Sequence, residues 1–391
     1  QVYNGATLTI DVNTTINGVL DIHEGGKLIV PKGITLEIDG IIMRGNGITR
    51  EWPQLVADGS IINHNNDTIY YDYTLNQHYY YPLAVPYTVY CSDVYNPISG
   101  RGASYQSYYY DTDKRSIGNY GWTEYDDTKT GAHFEPGKGY IVYAYPIKWK
   151  GTRQKAAVMR FPMKADLRYG EDEKVINIRC SETYNNIVNK NWNLIGNPYL
   201  ANLTPTHSPV NYVTYSVDGY ISYEQDFMDG FTMSPCNCYF IQAEEGETIV
   251  FDVADRVMAR REPASDFDKY SFGIIFTQNE QTEHTGFLFG DYTTTYEINA
   301  DLNKEFGNDA TLSVYAVSDN GKMAFIASPK EMLETPIPIG YHNAQCVPTK
   351  ISFDKIRYNK PEIDKLLLID IEANIYTDLL TEDYYFIPNK S

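Results

Sequence analysis

The densest group of residues able to do chemistry is Tyr105-Gln106-Ser107-Tyr108-Tyr109-Tyr110, continued by Asp111, Asp113, Tyr120 and Trp122. Aromatic faces set beside carboxylates and amides are the material of platforms that stack sugar rings or anchor a protein partner. A ring in that role faces solvent, so cutting back Tyr109 and Trp122 together is expected to cost affinity and spare the fold. Alternate tyrosines of such a run also pack between sheets, and about half of these are expected there. The segment 92–119 that carries them reads as an exposed loop, too long for a plain hairpin. Asp111 and Asp113, with Asp126 and Asp127 beyond, offer the hard oxygen ligands that Ca²⁺ takes. The full D-x-D-x-D-G pattern is missing, which favours solvated loop acids.

Signatures of catalysis are absent: there is no H-E-x-x-H, no G-x-S-x-G and no G-x-x-x-x-G-K-[ST]. The seven histidines are scattered, none with a second at metal-ligand spacing. A glycosidase needs two acids across the scissile bond, and 51 acidic residues always include some pair, so a hydrolase is the alternative reading rather than the leading one. Five cysteines cannot all pair, and Cys236 and Cys238, two apart on one strand face, read as free buried thiols.

The elements that must position these residues are strands. Tyrosine, 36 in number against 8 Met, suits a half-buried pleated surface. Over residues 1–66 short β-prone runs such as Thr7-Leu8-Thr9-Ile10 and Lys27-Leu28-Ile29-Val30 are punctuated by Asn17-Gly18, Gly25-Gly26 and Asp39-Gly40, which predicts stacked solenoid rungs or a hairpin meander. Over 67–255 the runs lengthen and become aromatic. Tyr79–Pro86 opens a stretch that returns at Gly137–Tyr143; Trp192–Tyr199 opens a second that returns at Cys238–Gln242. These look like diverged copies, expected to form two facing sheets or two small sandwiches. The charged stretch Arg256–Asp268 reads as a boundary, and 256–391 then offers seven strand candidates (272–276, 286–289, 312–317, 323–326, 350–353, 366–369, 384–387), as a β-sandwich requires.

Trp192–Tyr199 (W-N-L-I-G-N-P-Y) and Pro136–Tyr140 (P-G-K-G-Y) resemble runs in large secreted proteins of Bacteroidetes, many exported by the type IX secretion system. The order of short Gly-punctuated strands, aromatic-Pro strand and C-terminal sandwich is similar too, as is Asp378-Leu379-Leu380 followed by Tyr384-Tyr385-Phe386. The resemblance implies a cell-surface β-rich protein and specifies no activity. The sequence stops shortly after Phe386, before the sorting domain that ends such proteins, so that domain is expected to have been trimmed or cleaved, or the export route to differ, and Gln1 reads as a mature or trimmed start.

Hydrophobic residues at 42% and charged residues at 21% are those of a globular chain. A net charge of -19 disfavours nucleic acid and anionic membranes as partners, because both are held by Lys and Arg. No run approaches the ~18 apolar residues of a membrane span. The expectation is an all-β, secreted or surface-exposed, non-enzymatic protein for binding, adhesion or surface assembly. Its partner would be an extracellular glycan or protein, held by Tyr105, Tyr108, Tyr109, Tyr110, Tyr120 and Trp122, with Ca²⁺ at Asp111 and Asp113 as the one cofactor considered. A structural spacer is the third reading, and the oligomeric state is not readable.

Overall fold

The computed structural model describes the chain except for residues 77–78, 146–147, 150–151, 154–155, 205–210, 216–220, 226–231, 245–247, 257–269, 299, 305–311, 343–345, 360–362 and 389–391. The expected boundary at Arg256–Asp268 lies, after Arg256, outside the described residues. The architecture is all-β; among the described residues the only α-helix is α1 (Thr112–Ser116).

Seven strands open the chain: β1 (Thr7–Thr9), β2 (Thr14–Ile22), β3 (Lys27–Val30), β4 (Thr35–Asn46), β5 (Gln54–Ala57), β6 (Ser60–Asn63) and β7 (Thr68–Asn76). Alternate strands pair in parallel, β1 with β3 with β5, and β4 with β2, β6 and β7. Parallel pairing is incompatible with a meander of hairpins. Leu28, Val30, Leu36, Ile38, Ile41 and Met43 alternate inward and are fully buried between the two sheets. Because β7 belongs to the sheet of β2 and β4, the step at residue 66 falls within a sheet.

Next come β8 (Tyr80–Ala84), β9 (Tyr105–Tyr110), α1, β10 (Trp122–Tyr125), β11 (Gly139–Ala144) and β12 (Ala156–Lys164), then β13 (Lys174–Asn177), β14 (Trp192–Gly196), β15 (Asn211–Tyr215), β16 (Ile221–Gln225), β17 (Cys238–Gln242) and β18 (Thr248–Phe251). The order β10-β9-β11-β8 in one sheet is repeated as β16-β15-β17-β14 in another. Residue correspondence follows from register: Tyr80 lies opposite Tyr143 as Trp192 lies opposite Gln242, and Leu83 opposite Tyr140 as Ile195 opposite Tyr239. Local hydrogen bonds repeat as well. The amide of Glu135 donates to Tyr140 Oη (3.1 Å) and that of Ser234 to Tyr239 Oη (2.7 Å). Gly137 and Cys236, at corresponding positions, both hold positive φ (72° and 55°), a conformation glycine adopts freely and cysteine only with strain.

The two sheets meet reciprocally. Ala84 N donates to Cys236 O (3.0 Å), and Gly196 N, its counterpart, donates to Gly137 O (2.8 Å). Backbones this close leave no room for side chains: a Cβ on Gly196 would lie 2.3 Å from Ala84 Cβ, and one on Gly139 2.5 Å from Leu194 Cγ and 2.7 Å from Cys238 Cβ. Neither glycine has positive φ, so the requirement is steric alone.

The C-terminal part contains β19 (Tyr270–Gln278), β20 (Gln281–Gly290), β21 (Ser313–Ser318), β22 (Gly321–Pro329), β23 (Ile339–His342), β24 (Thr349–Asn359), a separate hairpin of β25 (Leu367–Asp370) and β26 (Ile375–Asp378), and β27 (Tyr384–Phe386). Its main sheet runs β23-β21-β22-β20-β19-β24-β27. Ile274, Phe276, Phe287, Phe289 and Val314 form its core with Leu379 and the hairpin's Leu368, giving a sandwich-like layer.

Two charge groups, each built on a buried side chain, tie the regions together. Across β2, β4, β7 and β12, Arg44 Nε lies 2.7 Å from Asp21 Oδ1 and its Nη1 3.0 Å from Asp72 Oδ2, while Arg160 Nη2 lies 2.7 Å from Asp72 Oδ2. Arg256, with its side chain 1% exposed, pairs with the buried Glu171 and with Asp58 of the opening strands. The tyrosine that follows the proline in each half joins it. Tyr87 Oη donates to Glu171 Oε1 (3.2 Å), and the Tyr199 ring lies 5.4 Å from the Arg256 guanidinium.

Burial, its largest influence, pushes the Glu171 carboxyl above its ordinary range against the pull of Arg256. Removing the cation strands a buried acid, so Arg256→Met is expected to lose about 3–5 kcal/mol of stability in denaturant unfolding at pH 8. A folded-state pKa raised above the unfolded one gives stability that is present at low pH and lost as pH rises through it. The deficit should therefore shrink at pH 5. A loss under about 1 kcal/mol, or one that does not change with pH, would show that the pair carries no such weight.

Candidate functional site

Strand alternation sends Tyr80, Pro82 and Ala84 of β8, Gln106, Tyr108 and Tyr110 of β9, Trp122 and Glu124 of β10, and Gly139, Ile141 and Tyr143 of β11 to one face of the first half-sheet. The second half covers one end of it. There Tyr110 and Trp122 stand edge-on to each other (5.3 Å between centroids) and to Phe240 of β17 (4.7 and 5.6 Å).

The other end is open. Tyr80 is 38% and Tyr145 40% exposed, and Tyr108 and Tyr143 are half-buried between them. The Tyr80 ring lies 5.8 Å from that of Tyr108 and 5.0 Å from that of Tyr143, and Tyr143 lies 5.4 Å from Tyr145. Polar groups border the cluster: Tyr145 Oη donates to Gln106 Oε1 (2.9 Å), and Gln106 Nε2 donates to Glu124 Oε1 (2.6 Å). Desolvation first, and then the neighbouring Tyr80 hydroxyl, push the Tyr108 phenol up to about 12.

The corresponding face of the second half is closed. Trp192, Val213 and Gln242 stand where the first half has Tyr80, Tyr108 and Tyr143. Trp192, Val213 and Phe240 share a core with Leu288, Leu302 and Phe325 of the C-terminal part. Tyr296 Oη donates to Gln242 Oε1 (2.5 Å). Two related faces thus differ: one is apolar and covered by a sheet, the other tyrosine-rich and uncovered.

Of the six aromatic residues singled out from sequence, only Tyr108 lies on the open face. Residues 105–110 are not an exposed loop but a strand with a partner on each side, so their side chains alternate between faces. Tyr105 and Tyr109 turn into the core, against Phe134 (6.2 Å) and Tyr125 (6.3 Å). Tyr110 and Trp122 lie between the sheets, and Tyr120 projects alone, 92% exposed. Asp111 and Asp113 each have a partner within the chain. Asp111 caps α1 by accepting from Lys114 N (3.1 Å), and Asp113 Oδ2 accepts from Arg179 Nη2 (2.8 Å), a hydrogen bond that lowers its pKa. Among the described residues no three His, Cys, Asp or Glu side chains are grouped to hold a metal ion. Burial likewise pushes the Cys238 thiol up to about 12, away from the reactive thiolate.

Tyr80, Glu124, Tyr143 and Tyr145 are not legible in the sequence as neighbours of Gln106 and Tyr108 because they arrive from three other stretches of chain. The available signal was period-two spacing, Tyr143-Ala144-Tyr145 beside Gln106-Ser107-Tyr108. What the geometry defines is an all-β protein with a duplicated half-sheet and one open tyrosine face. No family model matches the chain, and no curated protein or solved structure matches it.

Packing reverses the expectation that Trp122 can be cut back freely. Trp122→Ala is expected to lower unfolding stability by at least about 2 kcal/mol, because it empties space between two sheets. Tyr120→Ala should stay within about 0.5 kcal/mol of the parent. Equal, small effects in thermal melts would place Trp122 outside the core.

Proposed function

We propose that this is a secreted or cell-surface binding protein and that its ligand, a glycan, docks on the open face formed by Tyr80, Tyr108, Tyr143 and Tyr145. The observation that carries the reading is the contrast between the two related faces. Where the second half buries Trp192, Val213 and Gln242 under the C-terminal sheet, the first half places three tyrosines in contact with water. A tyrosine ring offers an apolar face to a sugar and a hydroxyl to solvent, so such a face is stable uncovered and still binds reversibly. Gln106 and Glu124 at its border supply donors and acceptors for sugar hydroxyls. Likeness to exported Bacteroidetes proteins supports the location of the protein at the cell surface.

Screening the intact chain on a glycan array, followed by titration of the best ligand, tests the reading. Tyr80→Ala and Tyr108→Ala should each weaken binding at least about tenfold, about 1.4 kcal/mol, with little change in melting temperature. Tyr120→Ala should bind like the parent. A glycan held equally well by all three variants would move the site elsewhere, and no binding to any glycan would reject the reading.

A further inference from the structure

The outer face of the C-terminal hairpin is apolar and exposed. In β25 and β26 Leu367 lies opposite Asp378 and Ile369 opposite Tyr376, while Leu368 between them lies opposite Thr377. Strand alternation turns Leu368 toward the C-terminal core and sends Leu367, Ile369 and Tyr376 outward. All three are exposed, Tyr376 to 62%, and Ile371 at the hairpin tip reaches 86%. Such turns are ordinarily built from Gly, Asn, Asp or Ser, so Ile371 does nothing for the turn itself. The face is also held in shape. Asp370 Oδ1 accepts from Ala373 N (2.8 Å) within the turn, and Asp370 Oδ2 accepts from Tyr384 Oη (2.5 Å) of β27. Asp378 Oδ1 accepts from the amides of Leu366 (3.1 Å) and Leu380 (3.2 Å). A partner meeting this face loses little to ordering it, and ordering is a main cost of association.

The surroundings of the face are acidic. Residues 363–388 carry six acids, among them Asp364, Glu372 and Asp378, against one cation, Lys365. This charge selects the occupant. Two copies meeting through their hairpins would set these acids against one another, and charge beside an exposed strand is a common guard against self-pairing. An anionic membrane is repelled likewise. We infer that the outer face of this hairpin docks a polypeptide that presents apolar side chains bordered by Lys or Arg. Leu367, Ile369, Ile371 and Tyr376 supply the apolar contact, and the acids around them steer the basic partner and fix its placement. The hairpin and the tyrosine face are separate, and neither site depends on the other.

Fluorescence anisotropy with the full chain and three labelled nine-residue peptides tests this: alternating Val and Lys, alternating Val and Glu, and alternating Ser and Lys. The proteins are the parent, Ile369→Ser/Tyr376→Ser, Ile371→Ser and Glu372→Lys, each checked for an unchanged melting temperature; Ile371, at the tip, keeps the apolar contact testable should the double variant fail to fold. The Val/Lys peptide should bind the parent, bind the double variant at least about tenfold more weakly, bind the two single variants more weakly than the parent, and weaken in ~0.5 M salt. The other two peptides should stay unbound. Val/Glu peptide bound as tightly as Val/Lys would overturn the basic partner, and Ser/Lys peptide bound as tightly would show simple attraction to an acidic chain. Val/Lys peptide held equally by parent and variants, or by none of them, would reject the docking face. Self-association of the parent in sedimentation, lost in Ile371→Ser, would replace the basic partner with a second copy.

Discussion

The close contact between Gly139, Gly196, Ala84 and Cys238 holds the two half-sheets together, and the rest of the central region depends on it. Here the backbones approach until each sheet donates one amide to the other, Ala84 to Cys236 and Gly196 to Gly137. Any larger residue would have to push the sheets apart, because packed interiors have no spare volume. Around this point Leu194 and Phe240 of one half fill the space beside Tyr110 and Trp122 of the other. The contact is local, covering only the near end of each face, and so it leaves the far ends to different fates.

On the second half the far end is buried under the C-terminal sheet, with Trp192 fully buried and Gln242 satisfied by Tyr296 and by the carbonyls of Ile187 and Lys190. On the first half nothing among the described residues covers Tyr80 and Tyr145 to that degree. The composition of each face suits its surroundings: tryptophan and valine where water is excluded, tyrosine where it is not. Elsewhere, regions are joined by charge. Asp72 is held between Arg44 and Arg160, and Arg256 between Glu171 and Asp58, so the opening strands, the first half and the end of the second half are joined by charge pairs, of which the buried Asp72–Arg160 and Glu171–Arg256 pairs are screened weakly by salt.

The sequence was legible where a local pattern suffices. The all-β class follows from tyrosine-rich, period-two runs, and the similarity of Tyr79–Pro86 to Trp192–Tyr199 is visible by eye. Six of the seven strand candidates beyond residue 269 lie in the main C-terminal sheet; 366–369 forms the separate hairpin instead. The site was less legible. A run of four tyrosines in Tyr105–Tyr110 draws attention as a cluster, yet a strand divides such a run between two faces and the second half covers Tyr110, so only Tyr108 reaches the open end. Tyr80, Tyr143 and Tyr145 join it through pairings between strands roughly 35 to 60 residues apart, which period-two spacing alone does not specify. The partners that Asp111 and Asp113 have within the chain, Lys114 N and Arg179, are fixed only by the fold and cannot be read from their spacing.

The most direct test of this account is the stability of Gly196→Ala. In an ordinary strand, alanine is favoured over glycine, by roughly 0.5–1 kcal/mol. Here the added methyl would meet Ala84 Cβ at 2.3 Å, so equilibrium unfolding should show a loss of about 1–3 kcal/mol, partly recovered when Ala84→Gly is added to make room. A Gly196→Ala protein as stable as the parent, or more so, would contradict the close contact and with it the arrangement that leaves one face covered and the other open.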